Sequence, residues 1–183
     1  MKTISTLLLL LGFILVLPAQ QTITATIEHD GLEREYILYV PAAYSPDEAV
    51  PLVLNFHGYT SNATEQMFYG NFRPLANVHN FLIVHPEGTD DDSGNAHWNV
   101  GWGGSTVDDV GFTAALLDTL EAAYNINTDR IYSTGMSNGG FMSYQLACAM
   151  SDRIAAIASV TGSMNPGQSE ACQANRPKFQ GGA

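Results

Sequence analysis

The sequence predicts an α/β fold built on a mainly parallel β-sheet. Four short apolar runs carry the sheet: "LVLNFH" (52–57), "FLIVH" (81–85), "RIYSTG" (130–135) and "IAAIASV" (154–160). Each has the length and density of a strand buried on both faces. Helical patterns lie between them. Residues 107–124 put Val110, Ala114, Leu117 and Leu120 on one face, and 139–150 form a second candidate. Strands that alternate with helices are joined by crossovers, which leave neighbouring strands parallel.

The chain starts with Lys2, an apolar stretch from Leu7 to Leu17, then Pro18 and Ala19. That is the layout of a secretory leader. The stretch falls short of the roughly 20 residues a membrane span needs. The expected organisation is a signal peptide over 1–19 and one domain over 20–183, exported to the extracellular space and not membrane-bound after cleavage. Residues 22–28 alternate apolar and polar, Asp30-Gly31 is a hairpin turn, and 35–40 give the return strand. The connection from Pro86 to Thr106 is longer than most, which marks it as functional or as a lid. From Gly162 onward the sequence is polar and shows no period.

Composition narrows the partners. A chain of 183 residues with 45% hydrophobic and 14% charged residues is globular, not disordered. Its net charge is −11, and its seven Lys and Arg form no cluster, which excludes nucleic acid and anionic membrane surfaces as partners. Nothing sets an oligomeric state. The two cysteines, Cys148 and Cys172, are expected to pair in an exported protein, closing a loop of about 25 residues worth roughly 3 kcal/mol. There is no CxxC or Cys/His spacing, so no metal or other cofactor is expected.

Gly135-Met136-Ser137-Asn138-Gly139 fits G-x-S-x-G, with an apolar run before it and a helix after it. A strand that turns sharply into a helix holds the serine hydroxyl out at the sheet edge, and the helix N-terminus favours an anion there. "LNFHGYTSN" ends a buried strand in His57-Gly58. At such a turn the amide of Tyr59 can join that of Asn138 around a carbonyl oxygen, with His57 a structural residue. Ser137 is the candidate nucleophile.

The chain resembles the secreted polyhydroxybutyrate depolymerase-like esterases, a group that includes feruloyl and acetylxylan esterases. "LNFHGYTSN", "FLIVHPEG", "WNVGWGG", "VDDVGF", "YNINTDRIYSTGMSNGGFMSYQLAC" and "SDRIAAIASVTGSM" carry the resemblance, in family order, from Leu52 to Met164. It implies an α/β-hydrolase three-layer sandwich, a Ser-His-Asp triad, and ester bonds of polymers or plant-wall conjugates as substrate. Carried over, Ser137 is the nucleophile, Tyr59 and Asn138 are the oxyanion donors, and Cys148 and Cys172 match positions the family pairs. Trp98 and Trp102 either line the substrate cleft or pack the long loop onto the domain.

The triad is incomplete on this reading. In this fold the chain order is Ser, then Asp or Glu, then His. No histidine follows Ser137; the last is His97. Asp152 and Glu170 follow it, but neither stands after a strand. The expectation is the N-terminal portion of a serine esterase whose C-terminal strands are missing. Two alternatives stand beside it: a non-catalytic binding module or pseudoenzyme, and a rearranged triad drawing on His85 or His97. Asp108-Asp109 reads as a helix cap, His79 as a surface residue, and Asn62-Ala63-Thr64 as a glycosylation sequon.

Overall fold

A computed structural model describes residues 19–165 together with Gly167 and Cys172. The expected leader and the end of the tail lie outside the described residues. Strands β1 (Gln21–His29) and β2 (Leu32–Val40) form the antiparallel hairpin. Asp30 and Gly31 turn it with φ of 53° and 76°, the left-handed pair that a tight two-residue turn requires. Strands β3 (Val50–Phe56), β4 (Leu82–Pro86), β7 (Ile126–Met136) and β8 (Ala156–Val160) match the four apolar runs. The six-stranded sheet has the order β1-β2-β4-β3-β7-β8. It is parallel from β4 to β8 and antiparallel where β1, β2 and β4 meet.

Period-two alternation divides the sheet between two helical layers. Leu52, Leu54, Phe56, Leu82, Val84 and Ile131 join one cluster with helix α3 (Asp109–Ala123) and helix α4 (Asn138–Ala149). Ile37 meets Ala63 and Met67 of α1 (Ala63–Tyr69), while Tyr39 and Ile83 meet Ala76 of α2 (Arg73–His79). In α3 the deepest stripe is Phe112, Leu116 and Leu120, with Leu117 beside it; Val110 and Ala114 are only partly buried. The predicted face was therefore turned slightly from the true one. Among the described residues no helix is long and apolar enough to cross a membrane.

The long connection is folded, not open. It contains a small antiparallel pair, β5 (Thr89–Asp90) and β6 (Ala96–His97). It is pinned by Arg34, whose guanidinium donates to Asp109 Oδ1 at 2.7 Å and lies 3.9 Å over the Phe112 ring. Asp109 Oδ2 accepts the Asn99 amide at 2.7 Å. Asp108 caps α3 by accepting from the Gly111 amide at 2.8 Å, as expected, but Asp109 is no cap: it is one half of a buried ion pair. Asn62, the sequon residue, caps α1 through the Glu65 amide at 2.8 Å. Cys148 and Cys172 are bonded, with Cα atoms 5.1 Å apart.

Strand β8 departs from the buried strand expected of "IAAIASV". It is the edge of the described sheet, and its residues alternate between exposed and half-buried. Val160 is 53% exposed. On the same face a groove of about 330 Å³ runs along Val53, Phe72, Phe81, Tyr132, Ala156 and Ala158. A flat apolar edge templates pairing with other chains. Residues 20–183 expressed alone are expected to self-associate, and Ala158→Lys to raise the monomer fraction in size-exclusion chromatography. An unchanged elution profile would show that the edge does not drive association.

Candidate active site

Ser137 stands between β7 and α4 with φ of 52° and ψ of −116°, a conformation that costs a non-glycine residue about 1–3 kcal/mol. Its backbone is held from both sides. The amide donates to Val160 O at 2.8 Å, and the carbonyl accepts from Gly140 at 2.8 Å and Phe141 at 3.0 Å. Ser137 occupies the N-cap position, yet its side chain makes no capping bond. A serine there ordinarily spends its hydroxyl on the first-turn amides; this one keeps it available.

The glycines of the motif are explained by crowding. A Cβ on Gly135 would stand 2.5 Å from the Gly139 carbonyl carbon, and one on Gly139 would stand 2.6 Å from His57 O. The strand end, the helix start and the 57–59 turn touch backbone to backbone. Gly139→Ala is expected to lower stability by more than the roughly 1–3 kcal/mol typical of overpacking, because no side chain can yield. Urea unfolding measures it, and a loss below 1 kcal/mol would contradict this packing.

Gly58 comes under the serine: a Cβ there would lie 3.7 Å from Ser137 Cβ. Tyr59 follows Gly58 and Asn138 follows Ser137 in the chain, and neither amide has an acceptor among the described residues. Two unspent N–H groups beside a strained serine whose hydroxyl makes no capping bond are what a developing oxyanion needs. The Asn138 side chain does something sequence reading missed. It is fully buried, donates to Trp98 O at 3.0 Å and accepts from the Trp98 amide at 2.7 Å. Trp98 Nε1 then donates to His57 O at 3.0 Å. Elbow, long loop and 57–59 turn are thereby tied together.

His57 is structural, as expected. Its Nδ1 meets Gly58 O at 2.8 Å, so the proton sits on Nδ1, and Nε2 accepts the Gly88 amide at 2.9 Å. Glu87 Oε1 lies 3.3 Å from Nε2, but in this tautomer the nitrogen has no proton to share with it. Glu87 uses its other oxygen to accept the Ala63 amide at 2.8 Å.

The two tryptophans part company. Trp98 is 0% exposed, edge-on to Phe56 at 4.9 Å and against His57; its ring packs the long loop onto the domain, the second of the two roles expected for it. Trp102 is 51% exposed, rests edge-on against Phe141 at 4.9 Å and donates to Asn165 Oδ1 at 3.1 Å. Tyr59 is half open, and its hydroxyl donates to Asp91 Oδ2 at 2.6 Å. That bond holds the Asp91 carboxyl down at about 2 and raises the Tyr59 hydroxyl.

Neither histidine of the rearranged-triad reading bonds the Ser137 hydroxyl. His97 Nδ1 donates to Thr89 O at 2.8 Å within the small hairpin. His85 is buried at the end of β4, and neither ring nitrogen has a hydrogen-bond partner among the described residues. Burial, then the charge of Arg73, lowers its pKa to about 4; the Asn55 backbone, short of hydrogen-bond geometry, offsets part of this. The unfolded chain takes up this proton near pH 6.5 and the folded chain only near pH 4. Stability present above about pH 6.5 is therefore lost as the pH falls toward 4, on the order of 3 kcal/mol. Urea midpoints from pH 7 to pH 4 should flatten in His85→Gln; an unchanged slope would assign the loss to other groups.

Comparison with known proteins places this arrangement. The family described as esterase PHB depolymerase matches residues 34–175, which include the 57–59 turn, the long loop and the elbow. The chain belongs to the PHB depolymerase esterase family. Among its relatives are a bifunctional acetylxylan esterase/xylanase of Neocallimastix patriciarum, 28% identical over 86% of this chain and 22% of the relative. Feruloyl esterase D of Neurospora crassa is 28% identical over 80% of this chain and 51% of the relative. This PHB depolymerase-family chain thus spans about half, or less, of the curated relatives it matches. An S-formylglutathione hydrolase of Agrobacterium tumefaciens superposes with a TM-score of 0.66 at 16% identity, over 79% of this chain and 59% of that one. An acetyl xylan esterase of Aspergillus awamori gives 0.59 at 16%, over 79% and 52%. At these identities the likeness is one of fold, and the fold is that of the α/β-hydrolases.

Proposed function

We propose that this chain is the N-terminal portion of a secreted serine esterase that cleaves carboxylic esters of a polymer or plant-wall conjugate through an acyl-enzyme on Ser137. The strained serine with an uncapped hydroxyl, together with the amides of Tyr59 and Asn138 that have no acceptor among the described residues, carries the reading. The hydroxyl attacks the ester carbonyl, its proton passing to a base; the carbonyl oxygen becomes an oxyanion between the two amides; collapse expels the alcohol, and water then releases the acid. On this proposal the base and its orienting carboxylate come from sequence following Ala183, on the side of β8, which is the sheet edge among the described residues. Secretion rests on the leader-like sequence at 1–19. A binding module on the same fold would keep the groove but would have no use for the strain at Ser137.

The test is the polypeptide that includes the coding sequence following Ala183, assayed on methyl ferulate, acetylated xylan and 3-hydroxybutyrate oligomers. Hydrolysis of one of these, abolished by Ser137→Ala, is the expected result. A verified stop after Ala183, or an extension with no histidine, would overturn the fragment reading.

A further inference from the structure

Trp102 stands on a turn that glycine leaves loose. Gly101, Gly103 and Gly104 have φ of 83°, 87° and 76°, and a Cβ on any of them would meet nothing within 4 Å. Glycine populates both hands of φ freely, so with no neighbour crowding them these three fix the turn only weakly. Its own bonds are long: the Gly101 amide donates to Asn99 Oδ1 at 3.3 Å and the Asp92 amide to Gly104 O at 3.2 Å. A firmer hold comes from outside the loop. The Asn165 side chain donates through Nδ2 to Val100 O and accepts the Trp102 indole N–H through Oδ1 at 3.1 Å, so one carboxamide brackets Gly101. An amide suits both places and a carboxylate would not, because the carbonyl can only accept and the indole can only donate. Asn165 is in turn fastened to α4 on both sides. Before it in the chain, Gly162 meets that helix backbone to backbone: a Cβ there would stand 2.6 Å from the Gly140 carbonyl carbon. After it, Cys172 is bonded to Cys148 near the other end of the helix.

Trp102 and Tyr59 wall one cavity of about 230 Å³. Both walls lead to Ser137. Gly58, which precedes Tyr59, would put a Cβ 3.7 Å from Ser137 Cβ. The Trp102 ring rests on Phe141, whose amide donates to Ser137 O at 3.0 Å. We propose that Asn165 is a positioning residue: it latches the Trp102 turn closed, and with it the wall this cavity presents to a substrate bound at Ser137. Once the latch is released, the glycines let Trp102 swing out and the cavity loses that wall. The inference rests on the esterase reading and deepens it, since binding at Ser137 then depends on a side chain outside the reacting groups.

The first readout needs no turnover. The two tryptophans give two indole N–H signals in a ¹⁵N-edited spectrum, and Trp102→Phe identifies one of them. In Asn165→Ala the Trp102 N–H should exchange with solvent about tenfold faster, which is what one or two hydrogen bonds contribute. The Trp98 N–H and the urea midpoint should stay where they are. A merely structural Asn165 would instead lower the urea midpoint and leave Trp102 exchange in the folded protein unchanged. The second readout is kinetic, in the protein extended by the coding sequence after Ala183. A ligand that needs the closed turn binds in proportion to the closed fraction, so Asn165→Ala should raise KM by about two- to tenfold. The value of kcat should hold, since the backbone bonds that fix Ser137 come from Val160, Gly140 and Phe141. Trp102→Phe, which drops the bond to Asn165 and keeps an aromatic ring, should raise KM over the same range. Unaltered Trp102 exchange in a folded Asn165→Ala overturns the proposal, as does an unaltered KM or a fall in kcat alone. If Trp102 is released but the extended protein hydrolyses no ester, only the esterase reading falls. If esters are cleaved through Ser137 while Asn165→Ala leaves Trp102 held, only the latch falls.

Discussion

Residues 20–183, purified and given a short activated ester, should turn it over no faster than their Ser137→Ala variant. Without a base the serine hydroxyl stays protonated and attacks slowly. The five histidines are all accounted for. His29 stands 3.8 Å from Asp108, His79 is exposed at the end of α2, His85 is buried in β4, and His57 and His97 bond backbone groups. None hydrogen-bonds the Ser137 hydroxyl. Loss of one triad member costs on the order of 10⁴ to 10⁶ in rate, and the oxyanion donors alone retain roughly 10³ over water. Brisk turnover that disappears with Ser137→Ala would mean that a histidine of this chain moves into reach.

Asp109→Ala should destabilise the domain by about 3–5 kcal/mol, the range for stranding one charge of a buried pair. Arg34 is 2% exposed, and its Nε and Nη1 already lack partners among the described residues, so losing Asp109 leaves only the Glu87 carbonyl at 3.2 Å and the Phe112 face. The Asn99 amide loses its acceptor at the same time. Against a total stability of about 5–15 kcal/mol, that is a large share. Urea unfolding of Asp109→Ala and of Arg34→Met/Asp109→Leu separates the causes. The double replacement should recover much of the loss, since no charge then remains buried. Equal losses in both would mean that the Asn99 contact, not the charge, dominates.

The contrast between these two predictions shows what the sequence could convey. Ser137, Tyr59 and Asn138 lie in short local patterns, a strand followed by a glycine turn, and local patterns are readable. The β1–β2 hairpin was equally plain, because Asp30-Gly31 suits only one kind of turn. The seven-residue helices α1 and α2 are too short for a period to declare itself, and the two-residue strands β5 and β6 shorter still. Arg34 and Asp109 are 75 residues apart, and nothing in the "DD" pair says that one aspartate caps while the other is buried. Trp98 and Trp102 look alike in sequence; only the fold distinguishes the ring beneath His57 from the ring facing solvent.

The central claim is that Ser137 becomes covalently acylated once a base is supplied. An activated aryl phosphonate ester, applied to the protein extended by the coding sequence after Ala183, tests it directly by peptide mass spectrometry. One adduct, on the peptide containing Ser137 and absent from the unextended chain, is the predicted result. Ester hydrolysis by the extended protein with Ser137 unlabelled would contradict it.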